Sequence, residues 1–325
     1  NILNVSKPSN AFSEQLGLDE NEWQSIINEA RSKLLDVRAQ RIRPLKDDKV
    51  LVSWNALMIS SFAQAARILD HDEYGITATN ALAFIEENLI TQDGRLLRRY
   101  RDGDANFPAY LSDYAQLGLA CLDIYAWNYE PQYILKAHHW ANEINRLFLN
   151  PDGAYYETGF DAEEVLVRKA DGHDGVEPSG NTSTALLFLK LASFGMGLRF
   201  LSDAERILHS FSPHLHQAGV NFSAMLSALI WARKGGIEVV VSGDESKSET
   251  KEVLQWLRQT FLPEVVVVFI PSDDPDPVSQ QVPIAEGRAT SDERLLIHVC
   301  QGQLCHAPVY DLPSLKNLIM QILNN

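Results

Sequence analysis

Ser53-Trp54-Asn55-Ala56-Leu57-Met58-Ile59-Ser60-Ser61-Phe62-Ala63-Gln64-Ala65-Ala66-Arg67-Ile68-Leu69 carries apolar residues at helical spacing, and Leu111 to Tyr125 reads the same way. The two stretches are related by a repeat. Ser53-Trp54-Asn55 aligns with Ser112-Asp113-Tyr114, and Asp93-Gly94 aligns with Asp152-Gly153, an offset of 59 in both cases. In each copy a long helix is followed by a second helix, a D-G turn and a short basic or aromatic run. The runs are Arg95-Leu96-Leu97-Arg98-Arg99-Tyr100 and Ala154-Tyr155-Tyr156-Glu157-Thr158. A third copy begins near Ser179-Gly180-Asn181 and a fourth half-copy near Asn221. Each hairpin can bury its apolar face only against its neighbours, so such units stack into solenoids or close into toroids.

Outward from these stretches, the spacing predicts helices over Glu20 to Arg38, Ser53 to Leu69, Gly75 to Leu89, Leu111 to Tyr125, Pro131 to Leu149, Asn181 to Phe194, Ser202 to Ser212 and Asn221 to Arg233. After Gly235-Gly236 the period changes. Ile237 to Ser242, Glu264 to Ile270 and Arg294 to Cys300 read as strands, and Ser248 to Leu262 and Leu312 to Leu323 as helices, which predicts a small α/β module with parallel-like strands. Pro271 to Arg288, rich in proline and aspartate, reads as a loop. The expected organisation is a helical-hairpin segment over 1–235 and an α/β module over 236–325.

With 43 acidic against 28 basic residues the net charge is -15, which repels phosphate backbones and anionic lipid, so nucleic acid and membrane are not expected partners. No apolar run approaches the roughly 18 residues that a bilayer span requires. Three cysteines, Cys121, Cys300 and Cys305, do not make a disulfide framework; they are expected as thiols of a cytoplasmic chain. The C-x4-C spacing of the last two fits neither a redox C-x-x-C nor a zinc site, and no cofactor motif is present. The opening Asn1-Ile2-Leu3-Asn4 has no initiator Met and no leader pattern and reads as the start of a piece of a longer protein.

Arg41-Ile42-Arg43-Pro44-Leu45-Lys46-Asp47-Asp48-Lys49-Val50-Leu51-Val52-Ser53-Trp54-Asn55-Ala56-Leu57-Met58 resembles the signature RxxPxxDDKxLxxWNGLM of the spermatogenesis-associated thioredoxin-domain proteins and their bacterial relatives. Tyr110-Leu111-Ser112-Asp113-Tyr114-Ala115 is similar to the family's FLEDYA. Asp152-Gly153 through Thr158 is similar to its DGGFFDT, Arg168-Lys169 with Glu177-Pro178-Ser179-Gly180-Asn181 to its RxK and PSGN, and Val299-Cys300 with Cys305 and Pro308 to its VCxxxxCxxP. The resemblance covers nearly the whole chain. It implies a mainly α fold, an (α/α)6 toroid of the six-hairpin glycosidase-like kind that is incomplete here, and an N-terminal thioredoxin-like domain of the same protein that this chain lacks. Ala56 stands where the family has Gly, leaving less room beside Trp54.

Inner helices of a toroid point their N-termini at one mouth, where free N–H groups and polar side chains collect. Asp47, Asp48, Ser53, Trp54 and Asn55, then Tyr110, Ser112, Asp113 and Tyr114, then Glu177, Ser179 and Asn181 fall at those termini. Carboxylates, amides and aromatic faces suit a saccharide or sugar derivative. Glycosidic hydrolysis needs two carboxyls, and Asp113 and Glu177 are the nominated catalytic pair, with Asp48 and Asp174 in reserve. Arg43, Asp48, Trp54, Asn55, Tyr110, Tyr114, Arg168 and Asn181 are the substrate-binding candidates, the arginines suiting a sugar acid or phosphate. Ser, Asp and Asn are also the preferred helix caps, and the charged clusters also read as loop ion pairs. Paired cavity histidines, which an epimerase would use, are not evident: only His173 lies in a mouth loop. The rival reading is a non-catalytic scaffold that presents the thioredoxin-like domain to protein clients.

Overall fold

The computed structural model describes residues 4–163, 166–290, 294–302 and 304–324; Asn1-Ile2-Leu3 of the opening tetrapeptide lies outside them. The chain divides into two compact units, one up to Asp48 and one from Lys49 onward. The boundary expected at residue 235 falls inside the second.

The first unit is a helical hairpin of α1 (Ser9–Leu16) and α2 (Glu20–Ala39). Asp19 and Glu22 form a reciprocal capping box that starts α2, satisfying donors the first turn leaves orphaned. Trp23 stacks on Phe12, its ring nitrogen donating to Ser9 Oγ at 2.6 Å.

The second unit opens with β1 (Val50–Leu51) and α3 (Val52–Leu69), followed by α4 (Asp72–Asn88), the hairpin β2 (Leu97–Arg101) and β3 (Asp104–Pro108), α5 (Leu111–Asn128), α6 (Gln132–Leu147), α7 (Gly180–Ser193), α8 (Leu198–Ala218) and α9 (Ser223–Lys234). Helices α3, α5, α7 and α9 pack side by side, while α4, α6 and α8 each return against the helix before them. This inner-and-outer alternation is that of an (α/α) toroid; the unit holds three hairpins and the first helix of a fourth. Because α5 touches neighbours on both sides, it is apolar almost all round, with Leu111, Tyr114, Leu117, Cys121, Ile124 and Tyr125 buried.

The offset of 59 reappears in the backbone. The isolated bridge Ile90–Leu96 has its counterpart in Leu149–Tyr155, and the left-handed helix ends at Asp70 and Tyr129 match in the same way. The second copy makes only that bridge, not the β-hairpin of the first. Helix α8 runs past Ser212 through Pro213, longer than expected. Gly75 of α4 lies under the Trp127 indole, where an added Cβ would sit 2.3 Å from ring atoms. Gly75→Ala is therefore expected to destabilise the unit by about 1–3 kcal/mol, read as a lower urea midpoint.

The α/β module consists of β4 (Ile237–Gly243), α10 (Ser248–Gln259), β5 (Val265–Pro271), α11 (Asp276–Gln281), β6 (Leu296–Gln301), β7 (Leu304–Cys305) and α12 (Leu312–Leu323). Strand order is β5-β4-β6-β7. β4 and β5 are parallel across α10, as the pattern predicts, but β6 is antiparallel to β4. The segment read as a loop reverses the chain and is itself ordered, with Val278, Val282 and Ala285 buried. The expectation of free thiols is corrected at two positions: Cys300 and Cys305 lie directly opposite on β6 and β7 and are disulfide-bonded, leaving Cys121 as a buried thiol. Among the described residues no helix is long and apolar enough to cross a membrane.

Candidate functional site

The N-termini of α3, α5, α7 and α9 gather at one end of the array. Asp113, in the first turn of α5, is fully buried there. One carboxylate oxygen accepts from the Ser53 backbone N–H of α3 at 3.0 Å. The other accepts from the Tyr110 N–H at 2.8 Å and pairs with Arg98 of β2 at 3.2 Å. Burial pushes its carboxyl upward, opposed by Arg98 and the two N–H groups. Both oxygens are thus engaged in tying α3, α5 and the β-hairpin together. The Arg98 guanidinium lies over the exposed Tyr110 ring at 4.2 Å.

A loop between α6 and α7 supplies the other wall. Asn181, fully buried, donates to the carbonyls of Tyr155 and Asp171 and accepts from the Tyr155 N–H at 2.8 Å, so its amide is a loop clamp. Asp174 accepts from Ser179 N and Thr182 Oγ1 with one oxygen and from Ala224 N and Met225 N with the other, joining the starts of α7 and α9. Ser179 caps α7 through the Thr182 N–H. Arg168 is sandwiched between the Tyr156 and Phe160 rings and donates to the Thr158 carbonyl.

Tyr114 is a correction. Expected to touch substrate, it is wholly enclosed, and its hydroxyl accepts from Arg95 Nη1 at 2.7 Å and the Leu96 N–H at 3.0 Å. An aromatic residue one turn into a helix packed on both sides faces the core. Arg95 also holds Asp161 through two hydrogen bonds. Asn181 is corrected on the same ground: its side chain is fully buried, with both amide hydrogens and its oxygen engaged by backbone groups. Asn55 is turned to the Leu51 carbonyl at 2.8 Å, whereas Trp54 is 60% exposed in the first turn of α3. Arg43 and Asp48 belong to the first unit.

The carboxyl that sequence reasoning passed over is Glu157. Its carbonyl accepts from the Leu111 N–H at the start of α5, and its N–H donates to the Lys169 carbonyl, which fixes it between α5 and the 169–171 segment. Its Oε1 is buried without a hydrogen-bond partner. Burial, reinforced by the Asp171 carboxylate, pushes its carboxyl up to about 7, against a hydrogen bond from the Asp171 backbone and the pull of Lys169 and Arg98. The signal was present in the repeat, since Glu157 belongs to the short run after the second D-G turn, but the residue types alone did not separate it from Tyr156 and Thr158. Glu177, two residues before the α7 cap, is partly exposed, and its carboxylate makes no hydrogen bond or ion pair among the described residues. No group of three His, Cys, Asp or Glu side chains among the described residues is gathered to hold a metal.

No family model matches the chain. Along its length it is similar to spermatogenesis-associated protein 20 of Homo sapiens, 27% identical over 98% of this chain and 42% of the relative. The Rattus norvegicus protein of that name is 26% identical over 99% and 42%. An uncharacterised Caenorhabditis elegans protein is 26% identical over 91% and 41%. The chain therefore spans about two fifths of the length of these relatives. Among solved structures it is similar to a cellobiose 2-epimerase from Bacillus thermoamylovorans, with a TM-score of 0.42 and 18% identity over 52% of this chain and 46% of that one. A Bacteroides thetaiotaomicron GH76 α-mannanase gives a TM-score of 0.44 and 14% identity over 66% and 59%.

Proposed function

We propose, for a chain similar to spermatogenesis-associated protein 20 over nearly all its length, that the mouth at the inner-helix N-termini is a carbohydrate-active or carbohydrate-binding site. The observation that carries the reading is Glu157: a half-buried side chain with one enclosed carboxyl oxygen left without a hydrogen bond, raised to about 7 so that a protonated fraction persists at neutral pH, near Arg98 and Tyr110. Such a group donates a proton to a departing glycosidic oxygen. Glu177, whose side chain meets no hydrogen-bond partner among the described residues, is the second carboxylate, and Trp54 and Tyr110 offer faces on which a sugar ring stacks. Asp113, nominated from its residue type, becomes the positioning residue that fixes Arg98.

The test is a thermal-shift screen of the full chain against neutral sugars, amino sugars, sugar acids and sugar phosphates. A ligand at 100 times its Kd stabilises by about 2.7 kcal/mol. A shift from one class that is lost in Glu157→Gln and in Trp54→Ala, with both variants folded, supports the reading; a shift that both variants keep overturns this placement of the site. The scaffold reading has its own support, since Asp113, Asp174 and Asn181 are all consumed by structural bonds. It is favoured if no class shifts the chain, and it would make a thioredoxin-like domain the partner.

A further inference from the structure

We propose that the Cys300–Cys305 pair is a thiol–disulfide exchange centre whose co-reactant is a dithiol, at a place in the fold independent of the helical mouth. The two cysteines face each other across the β6–β7 hairpin, with Cys305 exposed and Cys300 only 2% exposed. A crosslink between residues already held opposite by a hairpin closes a very short loop, for which the gain in stability from constraining the unfolded chain is smallest. Its surroundings are those of a reactive pair.

Arg288 brings Nη2 to 3.6 Å from Cys305 Sγ, and its Nη1 is buried without a partner. Glu238 of β4 is directly opposite Cys300 in the β4–β6 ladder, so the two side chains share one face of the sheet. Burial pushes the Glu238 carboxyl up to about 7 despite Arg288. His298, on the same face of β6, is held below its usual value, first by burial and then by Arg288. The third cysteine makes the contrast: Cys121 is enclosed in α5, and burial drives its thiol far upward, which leaves it inert.

The chemistry balances without a further oxidant or reductant. A thiolate of the dithiol attacks Cys305 Sγ, the accessible sulfur; the protein S–S bond breaks, and its electron pair leaves on Cys300. Glu238 supplies the proton that Cys300 takes up, and solvent later restores it. The second thiol of the dithiol then attacks its own sulfur in the mixed disulfide, closing a disulfide and releasing Cys305 as a thiolate beside Arg288. Two electrons pass from the dithiol to the protein, and the dithiol's second proton goes to solvent. In reverse, the Cys305 thiolate is the attacking group and Cys300 resolves.

The full chain, equilibrated at pH 7 in mixtures of reduced and oxidised dithiothreitol, is quenched with an alkylating agent and weighed by mass spectrometry. Two alkyl groups are expected to appear together, in one two-electron step, while far-UV circular dichroism stays native and Cys121 stays unlabelled. Cys300→Ser is expected to accumulate the mixed disulfide on Cys305. In the reduced protein, Arg288→Gln is expected to slow alkylation of Cys305 about tenfold at pH 7, because the thiolate loses the neighbouring guanidinium. A disulfide that opens only when the chain is denatured would make the pair a staple and overturn the proposal. Alkylation within twofold of wild type in Arg288→Gln would remove the guanidinium from it and overturn the assignment of Cys305 as the reactive sulfur.

Discussion

Asp113→Ala is expected to destabilise the second unit by about 3–5 kcal/mol, as breaking one side of a buried ion pair does, rather than to yield a folded protein that has lost only its activity. The carboxylate is fully buried and serves three donors on three separate elements: Ser53 N–H of α3, Tyr110 N–H before α5 and Arg98 of β2. Alanine leaves all three without an acceptor. Arg98 can turn partly to solvent, its side chain being 30% exposed, but the two N–H groups cannot. Asp113→Asn keeps one acceptor and presents an amide donor to the other N–H groups, so its cost is expected to be smaller, about 1–3 kcal/mol. Urea midpoints at constant slope measure both. An alanine variant as stable as wild type would show that the carboxylate is not a tie and return it to the catalytic candidates.

Asp113 also shows how far sequence carried the site. An acidic residue at the start of a helix, in register with a polar run one repeat earlier, marks the mouth whether it binds substrate or ties helices; residue type and position are the same in both cases. What separates them is the count of donors around the carboxylate, and two of those, Ser53 and Arg98, come from elsewhere in the chain. The same holds for Asn181 and Asp174, whose partners lie on the 155–171 loop and on α9. The helical array was legible because a 3.6-residue apolar period and an offset of 59 are local properties, and the ladder of bridges and left-handed helix ends repeats that offset. The antiparallel β6 was not legible, because its direction depends on how the 272–290 segment folds back over the sheet, and a buried apolar strand has the same pattern in either direction. The disulfide depends on that same pairing, which places Cys300 opposite Cys305.

The second large effect is a loss of stability between about pH 5 and 8 that Glu157→Gln removes. In the unfolded chain Glu157 titrates at its ordinary value of 4.5; in the folded chain burial and Asp171 move it to about 7. Between those values the folded protein holds a proton that the unfolded chain has released, so stability falls as pH rises and levels off above the folded value. The full shift corresponds to about 3 kcal/mol. The lowered carboxyls of Asp93, Asp171 and Asp244 act at more acid pH and do not mask it. Glu238 titrates in the same window and is replaced by Gln in both proteins; Asp113, which burial also raises, and His138 and His298, which burial lowers, stay in both, so the difference between the two profiles is what reports Glu157. In that pair, urea unfolding at pH 5, 6.5 and 8 is expected to show that stability drops relative to Glu157→Gln as pH rises with Glu157 in place, the glutamine variant being the more stable at pH 8. Profiles that run parallel with and without Glu157 would mean that the carboxyl ionises at its ordinary value, and the proton donor of the proposed site would be lost with it. A carboxyl that costs stability at neutral pH and leaves one buried oxygen without a hydrogen bond is otherwise unaccounted for, and the gain on replacing it, set against the loss of a ligand response in the same variant, is what distinguishes a site from a packing defect.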